Sequence, residues 1–277
     1  MKPSLRAHEP EQLVELWKPG LLRDRLTSAI ETLGGIGLLT ARVARQALRP
    51  PYELRALLEQ IESIGVRSMS VVLLTAVFSS MVITVQFQVQ LARFGAKEWA
   101  GNAVGVTLAR ELGPVMTALM VGGRVGAGIA AELGSMAVTE QIDAVRALGA
   151  DPVRKLVMPR VMACVLVLPL MAAMSDCIGV LAGGAIAALE PDMHFAYFVN
   201  AALRSTMLSD LFSGLAKTVF FAFNISSVAC YLGMETRGGT VGVGQATTRA
   251  VVISSVVTLV SDFFMTKLFL ALGWGTT

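Results

Sequence analysis

The sequence has little charge and few of the side chains on which most catalytic sites depend. Only 16% of its 277 residues are charged, whereas about a quarter is usual for a soluble domain. Both histidines, His8 and His194, lie outside the long apolar runs, which argues against a Ser–His dyad inside a membrane. No His, Cys, Asp or Glu group has the spacing of metal ligands. The sequence therefore predicts no catalytic residues, no metal site and no enzyme.

Three further absences limit the function. The chain lacks GxxxxGK[ST], the loop that cradles ATP phosphates, so energy for any transport is expected from a partner or an ion gradient. Its three cysteines lie in apolar runs, and their odd number predicts small core residues rather than disulfides. Residues 1–65 contain no early apolar run typical of a signal peptide, so we expect internal segments to direct membrane insertion. The net charge of +3 does not indicate nucleic acid as a partner.

What the chain does have is long apolar runs. Hydrophobic residues make up 54% of the sequence, and about 20 consecutive apolar residues are enough to span a bilayer as a helix. The composition therefore predicts an all-α integral membrane protein whose residues 66–277 form one domain with five transmembrane helices. The runs that predict these helices are 68–92, 99–123, 161–189, 211–234 and 250–274.

The distribution of lysine and arginine predicts the orientation of the chain. Segments 1–67, 124–160 and 235–249 hold ten, five and two of these residues. The alternate segments, 93–98, 190–210 and the C-terminal tail, hold two, one and none. Because basic loops stay in the cytoplasm, we expect a cytoplasmic N-terminus and a C-terminus on the outer side of the membrane.

Two segments outside the spans have helical periodicity. Within residues 1–65, the segment 21–48 has apolar residues at helical spacing with arginines between them, which predicts an amphipathic helix at the membrane surface. A solvated helix packed on a partner is the alternative, and a second short helix is expected over 52–64. Between the second and third spans, residues of about 134–148 predict a short cytoplasmic helix that either docks a motor domain or is an ordinary interfacial helix.

Six ionisable residues interrupt the apolar runs, of which Lys267 is expected to extend to the outer interface of the membrane. Four others together carry no net charge: Arg110, Glu111, Lys217 and Asp262. Each costs at least about 2.5–3.5 kcal/mol inside a bilayer unless it faces a cavity or a partner. Arg110 and Glu111 are neighbours that point about 100° apart on a helix, so each needs a partner on another helix, and Lys217 and Asp262 are the obvious ones. The group either lines a substrate path or holds helices together. Asp176 interrupts the third run, whose length would leave this residue near one face of the membrane.

The segment 108–160 resembles the MlaE/YrbE family of permeases, the membrane subunits of Mce-associated ABC transporters. It carries RELGP, GR-x-G, AE-L-G, M-x-x-TEQ and GADP before a basic segment. The likeness continues through KTVFFAFN at 217–224 and GGTVGVGQATTRAVVISS at 238–255, and extends over about 20–277.

The resemblance implies a function and a set of partners. Such a permease moves phospholipid between the inner and outer membranes of a bacterium and so maintains outer-membrane lipid asymmetry. It has an N-terminal interfacial helix followed by five transmembrane helices, forms a homodimer in the inner membrane, and binds no cofactor itself. ATP is bound by a dimer of separate cytoplasmic ATPase subunits, and a hexamer of Mce-domain protein lies on the periplasmic side. A small STAS-domain accessory protein is an optional further partner.

The resemblance also implies roles for individual residues. Arg110, Glu111, Lys217 and Asp262 match polar positions near the lipid cavity of the family. Residues matching the lipid pocket on the first span are Ile83, Gln90, Leu91 and Phe94, of which Gln90 is more polar than expected. Positions belonging to the motif around the ATPase-docking helix, about 134–148, are Glu132, Met136, Glu140 and Gln141.

Two other functions are compatible with the composition. An ion-coupled secondary transporter would use Glu111 or Asp262 as a proton carrier, and its activity would follow a pH gradient rather than ATP. In a non-transporting membrane scaffold, substitution of Arg110 or Glu111 by alanine would perturb stability or assembly and would cause no specific defect in lipid transport.

Overall fold

The protein is a bundle of long helices. The computed structural model describes residues 19–47, 53–190 and 193–273, and within these ranges it contains no strand. Five helices are long and apolar enough to cross a membrane, which confirms the predicted number of spans. They are α2 (Leu54–Ala92), α3 (Lys97–Val138), α5 (Val153–Ala187), α7 (Leu208–Met234) and α8 (Gly239–Ala271).

Three further helices complete the described chain: α1 (Pro19–Ala47), α4 (Gln141–Ala147) and α6 (Phe195–Ser205). The helix expected over 52–64 is the first part of α2, because a π-helical turn at Glu62–Val66 joins it to the span without a break. Helix α6 was not predicted from the sequence. It packs on the first part of α3, where Gly101 and Gly105 allow the two backbones to approach closely.

Helix α7 lies at the centre of the bundle and α8 at its edge. α7 packs against α3, α5 and α8, and α2 packs on α5. Within the most apolar stretch of each helix, 61% of residues are buried for α7 but only 11% for α8. The main apolar core lies between α3, α5 and α7, where Leu133, Leu168 and Phe221 are fully enclosed. In this single chain, α8 therefore presents most of its apolar surface outward.

Segment 134–148 is divided in the structure. Helix α3 continues to Val138, and α4 begins at Gln141. Glu140 stands between them with φ at 60°, a left-handed conformation that costs about 1–2 kcal/mol for a residue with a side chain. The buried side chain of Ile142 anchors α4, while Leu148 just beyond it is 86% exposed.

The two ends of the bundle differ in charge. We call the basic end the one where α2, α5 and α8 begin and where α3 and α7 end, because the described parts of the three Lys/Arg-rich segments lie there. The opposite end carries the α2–α3 turn and α6. Lys97, at the start of α3, contacts Glu190, just after α5, at 3.3 Å, and this contact places both helix ends together at that opposite end.

Candidate functional site: a charged cluster between three spans

Arg110 and Glu111 lie on an irregular turn of α3. Residues Leu108–Leu112 form a π-helical turn, a feature that often marks functional sites within long helices. Pro114 follows it. Proline has no N–H to donate to the carbonyl four residues earlier, which is that of Arg110. This carbonyl accepts a hydrogen bond from Lys217 Nζ at 3.1 Å, so the irregular backbone becomes part of the site.

Lys217 connects α3, α7 and α8. Its side chain is only 2% exposed, and its Nζ lies 2.8 Å from Glu111 Oε2 and 3.0 Å from Asp262 Oδ1. It also donates to Thr266 Oγ1 at 2.7 Å, and that hydroxyl in turn donates to Glu111 Oε1 at 3.1 Å. A buried ammonium is tolerated only when such partners replace its water. Lys217 therefore holds two carboxylates from two neighbouring helices.

Arg110 pairs with a residue that the sequence did not indicate. Its Nε and Nη2 lie 2.8 and 2.7 Å from Oδ1 of Asp210, whose side chain is 1% exposed. The second oxygen, Oδ2, accepts the backbone N–H of Met207 at 3.0 Å. Asp210 lies in the first turn of α7, where the helix dipole favours a negative charge. The carboxylate of Asp210 thus caps the first turn of α7 and also holds the guanidinium group of Arg110 in place.

Of the partners expected for Arg110 and Glu111, the one for Glu111 is found in the structure and the one for Arg110 is wrong. Glu111 does pair with Lys217, but Arg110 pairs with Asp210 rather than with Asp262 or Lys217. We call Arg110, Glu111, Asp210, Lys217 and Asp262 the charged cluster. It holds two formal positive and three formal negative charges, so the four predicted residues alone do not complete it.

A helical spacing in the sequence would have identified Asp210. Asp210, Gly214 and Lys217 are separated by four and three residues and therefore lie on one face of α7. Gly214 is required on that face, because a Cβ there would overlap the carbonyl oxygen of Ala109. The fourth apolar run was counted from residue 211, which placed Asp210 in a loop.

Asp176 lies inside the bundle next to the cluster. Its side chain is buried on α5, against Gly113 of α3, and its Oδ1 has no hydrogen-bond partner among the described residues. A Cβ at position 113 would overlap this oxygen. The long third helix therefore does not carry Asp176 out to a membrane surface, although its length had suggested that position.

Three of the four predicted pocket residues lie in the last part of α2, and Phe94 lies in the turn that follows it. Ile83 and Leu91 are half-buried, whereas Gln90 and Phe94 are exposed, Phe94 by 83%. Ile83 packs against a second apolar group with Val104 and Phe198. These positions belong to the opposite end of the bundle, as does the start of α7 that holds Asp210.

The four predicted docking residues are at the basic end. Glu132 forms an ion pair with Arg160 of α5 at 2.9 Å, and Met136 packs against the main core. Glu140 and Gln141 are exposed at the break between α3 and α4. The predicted docking residues therefore lie near the end of α3 and the start of α4, whereas the charged cluster contacts the first half of α3.

Comparison with known proteins identifies the family. Residues 57–268 match the family described as Permease MlaE, a range that includes every member of the charged cluster. The chain belongs to the MlaE permease family. A probable ABC transporter permease protein of Rickettsia conorii is 38% identical to it over 245 residues, which cover 88% of this chain and 95% of that relative.

Two further relatives carry more specific names. The intermembrane phospholipid transport system permease protein MlaE of Haemophilus influenzae is 33% identical over 240 residues, covering 86% of this chain and 91% of that protein. The chloroplastic protein TRIGALACTOSYLDIACYLGLYCEROL 1 of Arabidopsis thaliana is 35% identical over 234 residues, covering 84% and 67% respectively. Family membership makes this chain a transport subunit, as its five apolar helices also indicate.

Proposed function

We propose that this chain is the inner-membrane permease subunit of an ABC transporter that moves phospholipid between membranes. The observation that carries the proposal is the family match over residues 57–268, which reaches into all five spans. ATP is hydrolysed by a separate subunit, and this chain converts that work into movement of lipid. In a bacterium with two membranes, this transport maintains the lipid asymmetry of the outer one.

Within the charged cluster, the exposed and the buried members have different roles. The side chains of Arg110 and Glu111 are 29% and 39% exposed, whereas those of Asp210 and Lys217 are 1% and 2% exposed. Arg110 and Glu111 therefore face the lipid path, and Asp210 and Lys217 are positioning residues that hold them. Because Arg110 is already neutralised by Asp210, it contacts a lipid phosphate as a shared donor rather than as a free cation.

Apolar walls are needed next to these charges, since a phospholipid has a charged head and two apolar tails. Ile83 and Leu91 of α2, with Phe94 just after it, supply such a wall at the same end of the bundle, and Gln90 adds one polar group to it. The proposed path therefore opens toward the end that the lysine and arginine distribution assigns to the periplasm, where α8 also ends.

The ATPase docks at the basic end, on the surface formed by the end of α3 and by α4. Glu132, Met136, Glu140 and Gln141 belong to this surface. The strained backbone of Glu140 supports the assignment, because such outliers persist where function needs a fixed geometry. The exposed apolar side chain of Leu148 at the tip supplies an anchor of the kind that protein interfaces use.

A second copy of the chain covers α8, whose apolar side chains face outward in the single chain. Val252, Val256 and Phe263 are each more than half exposed. A homodimer would bury this face and bring two charged clusters toward one central cavity. A hexamer of Mce-domain protein at the opposite end, and a small STAS-domain protein with the ATPases, complete the proposed complex.

Co-purification tests the proposal at its first step. The chain, expressed from its own genome with an affinity tag, is expected to retain an ATPase subunit and to stimulate ATP turnover in a lipid environment. A chain that purifies without an ATPase and whose lipid transport follows a pH gradient would be a secondary transporter instead. One that assembles partners but moves no lipid would be a scaffold.

A further inference from the structure

A cavity at the basic end of the bundle contains two arginines without carboxylate partners. It lies between α2 and α3, has a volume of about 220 Å³, and is lined by Arg67 and Ser63 of α2 and by Arg124 of α3. Among the described residues, the side chain of Arg67 has no hydrogen-bond or ion-pair partner, and that of Arg124 only donates from Nη1 to Ser68 Oγ at 2.8 Å. We call this space the arginine cavity.

The charge of the arginine cavity is not balanced from its walls. Glu132 is the one acidic residue lining it, and this carboxylate is already paired with Arg160 of α5 at 2.9 Å. Both arginines are exposed, and their guanidinium groups carry positive charge that no lining carboxylate neutralises. Basic groups at this level of a membrane protein attract anionic headgroups.

The chemistry of the lining favours a phosphate group. Guanidinium groups bind phosphate oxygens through paired, charge-assisted hydrogen bonds. Ser63 and Gln60 add a hydroxyl and an amide to the same cavity. A single water needs only about 10–15 Å³ of such space, so the volume of about 220 Å³ accommodates a group much larger than an inorganic ion.

The surroundings indicate that this phosphate belongs to a lipid. Arg67 is the residue just before the uncharged run 68–92, and Arg124 is the residue just after the run 99–123, so both mark the edge of the apolar layer. An exposed apolar stripe leads from Arg67 along α2 through Val71, Leu74 and Phe78, at helical spacing. An acyl chain laid along this stripe would place its headgroup at the arginines.

We propose that the arginine cavity binds the phosphate of an anionic phospholipid from the leaflet at the basic end, with an acyl chain along the Val71–Leu74–Phe78 stripe. Basic pockets between transmembrane helices bind lipid headgroups in this manner. The site is separate from the charged cluster, because it lies toward the other end of α3. It does not depend on whether the chain transports lipid, so its test is independent of the proposed function.

Lipid retention by the full-length chain tests the site. The chain is reconstituted into nanodiscs of phosphatidylcholine with or without phosphatidylglycerol, extracted, and weighed by native mass spectrometry for bound phosphatidylglycerol. The wild type is expected to retain it, and Arg67→Gln and Arg124→Gln are each expected to weaken retention by about tenfold. Arg67→Lys and Arg124→Lys, which keep the charge, are expected to lose less.

Two further variants keep the test decisive. Gly128 lines the cavity with open space around its missing Cβ, so Gly128→Leu fills the cavity, leaves both arginines in place, and is expected to weaken retention. Arg204→Gln removes an exposed arginine at the opposite end and is expected to retain phosphatidylglycerol as the wild type does. Undiminished retention in the folded Gln variants or in Gly128→Leu would overturn the proposal.

A free anion is distinguished by competition. Inorganic phosphate or glycerol 3-phosphate, added at increasing concentration to the chain in phosphatidylglycerol nanodiscs, is expected to leave the bound lipid in place. If either soluble anion binds the wild type and displaces the lipid, and Arg67→Gln abolishes that binding, the cavity is a soluble-anion site and the assignment to lipid is wrong.

Discussion

Arg110 and Asp210 are 100 residues apart in sequence, yet both Nε and Nη2 of the arginine lie within 2.8 Å of one carboxylate oxygen. The same aspartate accepts the N–H of Met207 through its other oxygen. The start of α7 and the π-helical turn of α3 are therefore joined by a single buried side chain. Any account of how Arg110 meets a lipid has to begin with this pair.

Asp210→Ala is expected to lower the free energy of unfolding by about 3 kcal/mol. The value is at the lower end for breaking a buried ion pair, because Arg110 keeps some contact with solvent. Thermal unfolding of the purified chain in detergent measures it. The matched control is Glu190→Ala, whose exposed pair with Lys97 at 3.3 Å is worth at most about 1 kcal/mol. Equal effects of the two substitutions would contradict the assigned role of Asp210.

Lys217→Met is expected to destabilise the bundle because it leaves Glu111 and Asp262 facing each other without their shared cation. Removing one member of a buried ionic group costs about 3–5 kcal/mol. The triple variant Lys217→Met, Glu111→Gln, Asp262→Asn removes the charges together and is expected to recover most of the lost stability. If the triple variant unfolds as readily as Lys217→Met, the instability arises from packing rather than from unpaired charge.

Gly214→Ala is expected to push α7 away from α3, because the new methyl group overlaps the Ala109 carbonyl beside Arg110. Overpacking of this kind costs about 1–3 kcal/mol. Gly123→Ala on α3 is the control, since nothing lies within 4 Å of a Cβ at that position. The melting temperatures of the two variants measure this difference. Similar values would mean that α3 and α7 can move apart to accept the methyl group without loss of stability.

Leu148→Asp is expected to abolish retention of the ATPase subunit without unfolding the chain, since this leucine is 86% exposed and contributes little to the core. Co-purification with the ATPase, quantified against the permease band, measures the loss. The control is Leu189→Asp, which changes a leucine that is 79% exposed after α5, at the opposite end of the bundle, and is expected to keep the ATPase bound. Retention of the ATPase by Leu148→Asp would remove α4 and its tip from the docking surface.

The sequence predicted the number of spans well because length and apolar composition are local properties. The pairing of Glu111 with Lys217 was also predicted, since a charge in an apolar run requires a partner. Asp210 was missed because the fourth run was counted only from the residue after it. A charge in the first turn of a helix was thereby assigned to the preceding loop. Burial of Asp176 against Gly113 depends on how two helices pack, which composition does not encode.

Backbone irregularities were equally beyond reach of the sequence. The left-handed Glu140 that separates α3 from α4 occupies a position where glycine would have been the expected residue. The π-helical turn that carries Arg110 has no signature beyond the proline that follows it. Periodicity therefore predicted one helix over about 134–148, where the structure has two helical segments and a break.

The central claim is that Glu111 and Arg110 face a path along which phospholipid is transported at the expense of ATP hydrolysis. The most direct measurement is transfer of labelled phospholipid between the reconstituted complex and acceptor vesicles, with ATP and with a non-hydrolysable analogue. The account predicts transfer that requires hydrolysis and falls at least about tenfold in Glu111→Gln while ATPase retention persists, as expected when one charged contact of about 1.5 kcal/mol is lost. Transfer that proceeds equally with the analogue, or at an unchanged rate in Glu111→Gln, would contradict it.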